Sequence, residues 1–340
     1  MLKIPSSASP KRLAILYTNP MLKTKKFSSI LNLKVEENLE INFLDLITLS
    51  NKDEFIAKIF NHEHLKLVFG MNETHSILSN KLILYYEHNY TENYENFNDR
   101  DYLIKFLLLG EIFCQCLWLI KDNSVCFELA HLIYELEGQL KVHSNFWNSL
   151  YSDALGNTST VEFNKEELEK VFHLFPTVFS IYAVPPDNIT RSVMVTSKLS
   201  RLSRGLYFLQ SARNCQDVGT KIAHYCSVFE SLFSVSNTEL KHRLSETVSF
   251  FLETEGSKRL NIYKTLQAAY DIRSSIVHGD GIQSKLLKNN NELLFKVAIE
   301  TDEILRRSIS KIIDDEKLLD LFSNRTKDDI NIYNQTLIFS

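Results

Sequence analysis

Two residues near the end of a predicted helix, Arg273 and His278, have side chains suited to chemistry on a phosphodiester. Four residues separate them, and Gly279 follows at once, which is typical of a helix C-terminus. Arginine can grip a phosphate through two parallel hydrogen bonds, and histidine exchanges a proton near neutral pH. Metal-free cleavage of RNA requires both abilities. The alternative interpretation is a histidine that interacts with the helix dipole beside a surface arginine.

The spacing of this pair has a geometric consequence. Five helical steps rotate a side chain by about 500°, so Arg273 and His278 point roughly 140° apart on an ideal helix. One copy of the chain would not focus both side chains on a phosphate by spacing alone, although fraying at Gly279 would turn His278 inward. Two copies around a two-fold axis would add a second Arg and a second His. The spacing therefore predicts a dimeric site.

Glu230 is a third candidate for the site. It borders the apolar stripe of the predicted helix over residues 217–235, and a charge at such a border is costly unless it is paired. Arg243 and Arg273 are the candidate partners. With Arg273, Glu230 would orient the reactive cation. A structural ion pair is the alternative.

Composition favours a helix-rich globular protein. The 340 residues exceed what one core usually needs, and hydrophobic residues make up 44% with charged residues at 24%. Gly, with 9 residues, and Pro, with 6, are scarce. No apolar run reaches the roughly 18 residues of a membrane helix, and no secretion signal follows the N-terminal charges. The five cysteines have no C-x-x-C spacing, so we expect free thiols in a reducing cytoplasm.

Charge is distributed unevenly along the chain. The net charge is −4, yet residues 191–320 carry 19 Lys and Arg against 16 Asp and Glu. Lys198, Arg201 and Arg204 lie in a segment free of Asp and Glu. They predict either a solvated helix face or a strip that binds RNA phosphates. No Gly-rich phosphate loop, G-x-S-x-G motif or metal-ligand cluster is present in the sequence, so we expect neither cofactor nor metal.

The pattern predicts an α+β protein, with an N-terminal mixed α/β domain followed by an all-α bundle. We place the N-terminal domain at 1–184, a linker at 185–191 around Pro185-Pro186, the bundle at 192–322 and a tail at 323–340. The expected strands are Leu13–Tyr17, Ile41–Leu49, Leu65–Phe69, Lys81–Tyr86, 140–150 and 159–163. Residues 124–134 fit a strand or a helix equally well.

Helices are expected over 52–60, 100–120 and 165–175, the last with Asn164 and Glu167 as a capping pair. After the linker the chain is almost entirely helical. The expected helices there span 194–213, 217–235, 237–254, 258–278 and 292–313, with Ser257 capping the fourth of them. Helices joined by short loops form a bundle.

The second half resembles HEPN domains, and in particular the ApeA-like branch found in prokaryotic defence proteins. Three stretches carry the resemblance, which covers about residues 190–320. They are Phe229-Glu230-Ser-Leu232-Phe233, Glu239-Leu-Lys-His-Arg243-Leu and Arg273-Ser-Ser-Ile-Val-His278-Gly279, the last matching the R-x4-H signature of the family. One position departs from the pattern, because active members often have Asn or another strongly polar residue after the Arg and this chain has Ser274.

The resemblance implies a dimerising helical bundle in which the R-x4-H helices meet, with Arg273 and His278 as catalytic residues and Ser274, Glu230 and Arg243 in support. Active members of the family are metal-independent endoribonucleases, and many act as toxins or in defence against phage by abortive infection. We therefore expect RNA as substrate, a homodimer, an unknown trigger sensed by the N-terminal domain, and no membrane. The alternative is a non-catalytic HEPN module for dimerisation or RNA binding.

Overall fold

The computed structural model describes residues 22–43, 47–59, 63–80, 82–90, 98–136, 139–146, 150–182, 199–235 and 240–339. The chain divides into two compact units. The sheet unit comprises Met1–Leu31, Val35–Gly110 and Phe127–Asn148, and the helical unit comprises Asn32–Lys34, Glu111–Cys126 and Ser149–Ser340. The predicted α+β class is confirmed, with an antiparallel sheet in the first unit and mostly helices in the second.

The sheet unit is built on a six-stranded sheet with the order β3-β4-β5-β1-β6-β7. Its strands are β1 Leu22–Leu31, β3 Glu40–Phe43, β4 Ile47–Ser50, β5 Ile83–Tyr90, β6 Cys126–Leu136 and β7 Gln139–Phe146. The pairs β3–β4, β4–β5, β1–β5 and β6–β7 are antiparallel, with Phe27 opposite Tyr85 in the β1–β5 register. Helices α1 Asp53–Ile59 and α2 Glu63–Asn80 lie between β4 and β5 along the chain.

The two faces of β1 have different surroundings, because successive side chains alternate across a strand. Phe27 is fully buried in a cluster with Ile56 of α1 and Ile77 of α2. On the other side, the Lys26 ammonium lies 4.3 Å from the Tyr86 ring and 3.6 Å from the Tyr102 ring. Burial, with a smaller effect of Lys105, lowers the pKa of Lys26 to about 7.

Several N-terminal predictions need correction. The segment Leu65–Phe69, predicted as a strand, lies in α2, because Leu65 and Ile77 bury one helix face against the sheet. The single strand expected over Ile41–Leu49 is the hairpin β3–β4. The central strand β1 was not predicted, since its Lys and Ser residues interrupt the alternation of apolar and polar side chains that is typical of a strand. The predicted strand Leu13–Tyr17 lies outside the described residues.

Helix α3, Asp99–Ile120, confirms the helix expected over 100–120. Its part Tyr102–Ile120 is long and apolar enough to cross a membrane by length and composition, and 72% of it is buried within the fold. The sequence predicted no apolar run of this length, and this helix, which contains Lys105 and Glu111, departs from that expectation. Such burial is what a core helix of a globular protein shows.

The helical unit contains nine described helical segments, counting the second part of α3. The others are α4 Lys165–Tyr182, α5 Arg201–Arg213, α6 Val218–Phe233, α7 Leu240–Leu252, α8 Gly256–His278, α9 Lys288–Asp314, α10 Glu316–Asn324 and α11 Lys327–Phe339. A short parallel pair, β2 Leu33–Lys34 with β8 Val161–Glu162, completes it. Asn164 and Glu167 form the predicted capping pair of α4 through reciprocal bonds of 3.0 and 2.9 Å.

Some boundaries in this unit differ from the prediction. The expected linker 185–191 lies outside the described residues, but residues 111–126 and 149–182, assigned to the first domain, group with the helices. The expected tail forms the last residues of α10 and the whole of α11. Ile330 of α11 is fully buried. Glu255, not Ser257, precedes α8, so the predicted Ser257 cap is wrong.

A buried carboxylate joins three helices of this unit. Asp302 of α9 is fully buried, and its Oδ1 accepts from Trp118 Nε1 of α3 at 2.9 Å and from the Tyr225 hydroxyl of α6 at 2.8 Å. Its Oδ2 lies 3.1 Å from Arg306 Nη2, one turn along α9. Because a buried charge is costly without partners, these contacts fix the positions of α3, α6 and α9 relative to one another.

Further buried charges surround this carboxylate. The fully buried Arg213 guanidinium donates to the Cys114 carbonyl at 2.9 Å and to the Asn123 side chain at 3.1 Å. Lys221 Nζ donates to the Ala212 carbonyl at 2.8 Å and to Ser152 Oγ at 3.0 Å. Burial and then Arg213 lower the pKa of Lys221 to about 8. The segment after α3 is thereby attached to the helices by polar contacts as well as by packing.

We expect Asp302→Asn to destabilise the protein by about 3 kcal/mol, because it removes the carboxylate that pairs with Arg306 in the interior. Urea denaturation followed by circular dichroism measures this change. Asp320→Asn is the control, since Asp320 pairs with Arg325 at 2.7 Å on the surface, where ion pairs contribute little. Equal shifts of the denaturation midpoint in the two variants would contradict the assigned role of Asp302.

Candidate active site

Helix α8 carries the Arg–His pair and ends where the sequence predicts. Gly279 adopts a left-handed conformation with φ 76° and ψ 11°, and its N–H points to the Ile276 carbonyl at 3.3 Å. Glycine adopts this conformation without strain, so it ends the helix directly after His278. Because α8 stays helical through His278, the expected fraying that would turn this histidine inward does not occur.

Arg273 faces α6 and pairs with Glu230. Its Nη2 lies 3.5 Å from Glu230 Oε1, with the two side chains 29% and 23% exposed. The sequence left Arg243 and Arg273 as candidate partners, and the ion pair forms with Arg273. The contact is loose, because neither Glu230 Oε1 nor Arg273 Nε has an aligned hydrogen bond within the described part of the chain. The guanidinium therefore lies beside α6 while its side chain stays partly exposed.

Tyr270 is a site residue that the sequence analysis missed. It lies three residues before Arg273 on the buried face of α8, and its hydroxyl donates to the Cys226 carbonyl at 3.4 Å, close enough to Glu230 to affect the pKa of that carboxyl. Residues three apart share a helix face, so the spacing of Tyr270 and Arg273 could have identified it. Tyr270 orients the carboxylate that in turn holds Arg273.

Burial dominates the electrostatics of Glu230. It raises the pKa of the carboxyl above its ordinary value, while Arg273 and the Tyr270 hydroxyl act in the opposite direction. The ion pair with Arg273 favours the ionised carboxylate of Glu230, whereas burial favours the neutral carboxyl. At 3.5 Å and without an aligned hydrogen bond, the attraction is weaker than the loss of hydration.

His278 and Ser274 lie on a different side of α8 from the ion pair. Both are exposed, and Val277 beside them is 57% exposed. Since α8 is regular, the roughly 140° between Arg273 and His278 persists. One copy of the chain thus presents a held cation and an exposed imidazole at one helix end, without bringing them to a common point.

Two arginines of the predicted basic strip, Arg201 and Arg204, lie in the described part of the chain, and both donate hydrogen bonds to backbone carbonyls. Arg201 Nη1 donates to three carbonyls at the end of α6, those of Ser231, Leu232 and Ser234. Arg204 Nη1 donates to the Leu199 carbonyl at 2.5 Å. Burial, followed by the neighbouring Arg204, lowers the pKa of Arg201. Contact of Arg201 and Arg204 with RNA stays a prediction, and Lys198 lies outside the described residues.

Arg243, predicted as a supporting residue, is exposed on α7. The helix it belongs to is attached to α8 next to the site, because Lys241 Nζ contacts Asp271 Oδ1 at 2.5 Å and Gln267 Nε2 donates to the Lys241 carbonyl at 3.1 Å. The start of α7 and the end of α8 therefore lie at the same end of the helical unit.

Comparison with protein-family models, curated proteins and solved structures finds no match to this chain. The resemblance to HEPN domains consequently rests on the residues quoted above and stays a prediction. Within the described ranges, no group of three or more His, Cys, Asp or Glu side chains could hold a metal ion.

The arrangement has a defined chemical capacity. Arg273 can bind a phosphate oxygen, since its guanidinium is partly exposed and has the geometry for two parallel hydrogen bonds. His278 can accept or donate a proton in contact with solvent. Glu230 and Tyr270 hold the guanidinium from the buried side.

The Glu230 carboxyl predicts a pH dependence of stability. Its pKa is raised in the folded state, so its contribution to the free energy of unfolding falls as pH rises from about 4.3, the ordinary value, through the folded pKa. Glu230→Gln removes this titration. We therefore expect the stability of Glu230→Gln relative to the wild type to increase with pH, as measured by urea denaturation between pH 4 and pH 7.

Glu167→Gln provides a control of opposite sign. Burial alone would raise the pKa of Glu167, but the Lys121 ammonium at 2.7 Å and the Asn164 N–H lower it. The Glu167 carboxylate contributes to the free energy of unfolding at pH values above its ordinary pKa, and this contribution is lost as pH falls through the folded pKa. Glu167→Gln should therefore lose stability relative to the wild type as pH rises. Parallel trends in the two variants would contradict the assignment for Glu230.

Proposed function

We propose that the protein is a metal-independent endoribonuclease of the HEPN type. The observation that carries the proposal is the pairing of Glu230 with Arg273 on the helix that ends in His278 and Gly279. Glu230 and Arg273 come from two of the stretches that resemble HEPN domains, 43 residues apart in the chain. The pairing is the one that a supporting role of Glu230 requires, since the carboxylate lies 3.5 Å from the guanidinium that would bind the phosphate.

The reaction uses a nucleophile within the substrate. The 2′-oxygen of a ribose attacks the adjacent phosphorus, and the bond from phosphorus to the 5′-oxygen breaks. His278 removes the 2′ proton or delivers a proton to the leaving 5′-oxygen. Arg273 binds the non-bridging oxygens and stabilises the charge that develops on them. The products are a 2′,3′-cyclic phosphate and a 5′-hydroxyl, and DNA is not cleaved because it lacks the 2′-hydroxyl.

The remaining residues have supporting roles in this proposal. Glu230 positions Arg273, and Ser274 contributes a hydrogen bond from the exposed side of α8. Arg243 supports the site from α7, and the segment with Lys198, Arg201 and Arg204 binds RNA phosphates. No cofactor takes part, since the nucleophile, base and cation are supplied by RNA, His278 and Arg273.

A homodimer completes the site. Arg273 and His278 diverge by about 140° on α8, so two copies around a two-fold axis would place the Arg of one copy beside the His of the other. The protein would act in the cytoplasm as a toxin in abortive infection against phage. The sheet unit would sense a trigger and restrain or direct the cleavage.

A specific observation also favours a second candidate, a non-catalytic HEPN module for dimerisation or RNA binding. Ser274 stands where active members often have Asn, and it is exposed on α8 without a contact that would replace the missing amide within the described residues. Such a module would bind RNA without cutting it.

The decisive measurement is RNA cleavage in EDTA. We expect the wild type to cut total RNA and leave cyclic-phosphate ends. Arg273→Ala should lower the rate about 10²- to 10³-fold and His278→Ala about 10²- to 10⁴-fold. His173→Ala and Arg325→Ala are matched controls, because both residues are exposed on other elements, and they should cut normally. Cutting that survives in His278→Ala, or that stops with EDTA, would exclude the proposed mechanism.

Mixing the two inactive variants tests the dimeric site. If each site combines Arg273 of one copy with His278 of the other, a heterodimer of Arg273→Ala and His278→Ala has one intact site and one doubly defective site. Random assortment gives half heterodimers, so about a quarter of the wild-type activity should return. If each copy holds its own complete site, the mixture stays inactive.

A further inference from the structure

A carboxylate just after α3, Asp122, holds a turn of the helical unit through one of its two oxygens. Asp122 is partly buried, and its Oδ2 accepts from the Ala154 N–H at 2.9 Å. Its Oδ1 is buried and has no hydrogen-bond partner within the described part of the chain. Removing a charged oxygen from water without a compensating donor is costly. The environment therefore favours a proton on the Asp122 carboxyl, which can keep its bond to Ala154 in that form.

The turn over residues 153–157 packs against the chain just before α6. Gly156 has a positive φ of 78°, and a Cβ at this position would lie 1.9 Å from the Gln216 carbonyl oxygen. Ser152, directly before the turn, donates from its Oγ to the Cys215 carbonyl at 2.8 Å. Because the backbones touch and a hydrogen bond joins them, a displacement of the turn would also displace the start of α6.

Charged groups of α9 and of the turn itself act on Asp122. Burial raises the pKa of Asp122 most, and Asp302 raises it further. The Ala154 N–H and then Arg306 act in the opposite direction, and Asp153 raises the pKa by the smallest amount. Because burial and the neighbouring carboxylates prevail, Asp122 binds its proton more tightly in the folded chain than in the unfolded chain.

Lys221 of α6 belongs to the same network. Its Nζ donates at 3.0 Å to the Oγ of Ser152, directly before the turn. Burial and then Arg213 of α5 lower the pKa of Lys221 to about 8, while Asp302 and Asp122 act in the opposite direction. Lys221 keeps its proton below this pKa, so its titration lies above that of Asp122.

We propose that Asp122 is a proton-operated latch between the end of α3 and the start of α6. In its neutral form Asp122 holds the 153–157 turn without placing a charge in the interior. In its ionised form the uncompensated charge weakens the packing of the turn, and with it the start of the helix that carries Glu230. Acidification therefore tightens α6. The latch itself is independent of the proposed nuclease function, and only its consequence for Arg273 rests on that function.

The sign of the effect follows from proton linkage. A carboxyl with a raised folded pKa stabilises the fold most at low pH. Its contribution falls as pH rises from the ordinary value, about 3.9 for aspartate, through the folded pKa. The latch is thus closed on the acid side of the folded pKa of Asp122 and weakened on the alkaline side.

The first measurement follows the Ala154 amide of the wild-type chain by NMR, in protein with isotope-labelled alanine. The Ala154 N–H donates to Asp122, so its proton resonance should move upfield when the carboxylate loses its charge. We expect the midpoint of this transition at least about one pH unit above 3.9. A midpoint at or below the ordinary value would overturn the latch. This result needs no variant, so it stands even if Asp122→Asn fails to fold.

The second measurement is hydrogen exchange of the α6 amides, corrected for the intrinsic effect of pH on exchange. In the wild type, protection should fall as pH rises, by about tenfold for each unit by which the folded pKa of Asp122 exceeds the ordinary value. Asp122→Asn has the same shape and no titratable carboxyl, so it should lack this part of the fall. Equal exchange profiles in Asp122→Asn and the wild type would contradict the coupling to α6.

Two matched variants separate Asp122 from other titrating groups of α6. Glu230→Gln removes the other carboxyl of raised pKa. His224→Gln removes a histidine whose pKa is lowered by burial and then by Lys221. Both variants should keep the Ala154 transition at the wild-type midpoint. Loss of the transition in either variant would assign it to that residue and overturn the inference. Neither readout involves RNA, so the latch and the nuclease function can fail separately.

Discussion

The Asp302 carboxylate is the interaction on which the helical unit depends. It accepts hydrogen bonds from Trp118 and Tyr225 and lies beside Arg306, so one fully buried charge fixes α3, α6 and α9. Dispersion between apolar side chains would allow these helices to slide, because it is non-directional. Directional bonds to a single carboxylate do not allow this. The position of α6, and hence of Glu230, is set by this network.

Helix α6 connects the Asp302 network to the candidate site. Tyr225 binds Asp302, and Glu230 lies little more than one turn further along the same helix, where it meets Tyr270 and Arg273 of α8. At the end of α6, Arg201 and Asn334 bind the last carbonyls. The helix that holds Arg273 is therefore anchored both before and after Glu230. This is how a loose ion pair at 3.5 Å can still place a guanidinium reproducibly.

Glu230 illustrates a compromise between stability and function. Burial raises its pKa, so the folded state resists the charge that Arg273 requires. A well-packed apolar pair would stabilise the helices more. The ionised pair is nevertheless what keeps a cation partly exposed at the end of α8. Departures of this kind from the most stable choice are concentrated at functional sites.

The sequence by itself determined the helix boundaries that depend on local chemistry. Gly279 ends α8 because glycine tolerates a positive φ, and Asn164 with Glu167 begins α4 because their side chains pair with the first free N–H groups. It also singled out Glu230, since a carboxylate on the border of an apolar stripe requires a partner. These signals lie within a few residues of each other, so no knowledge of the fold is needed to read them.

Only the tertiary structure decided the contacts between residues distant in the chain. Leu65–Phe69 became helical because the sheet offers a surface for one helix face, and 111–126 joined the helices because Trp118 and Asn123 meet Asp302 and Arg213. The role of Tyr270 beside Glu230 also depends on packing between α6 and α8. Pairing across long separations depends on which buried groups remain unsatisfied after packing, and local pattern does not encode this.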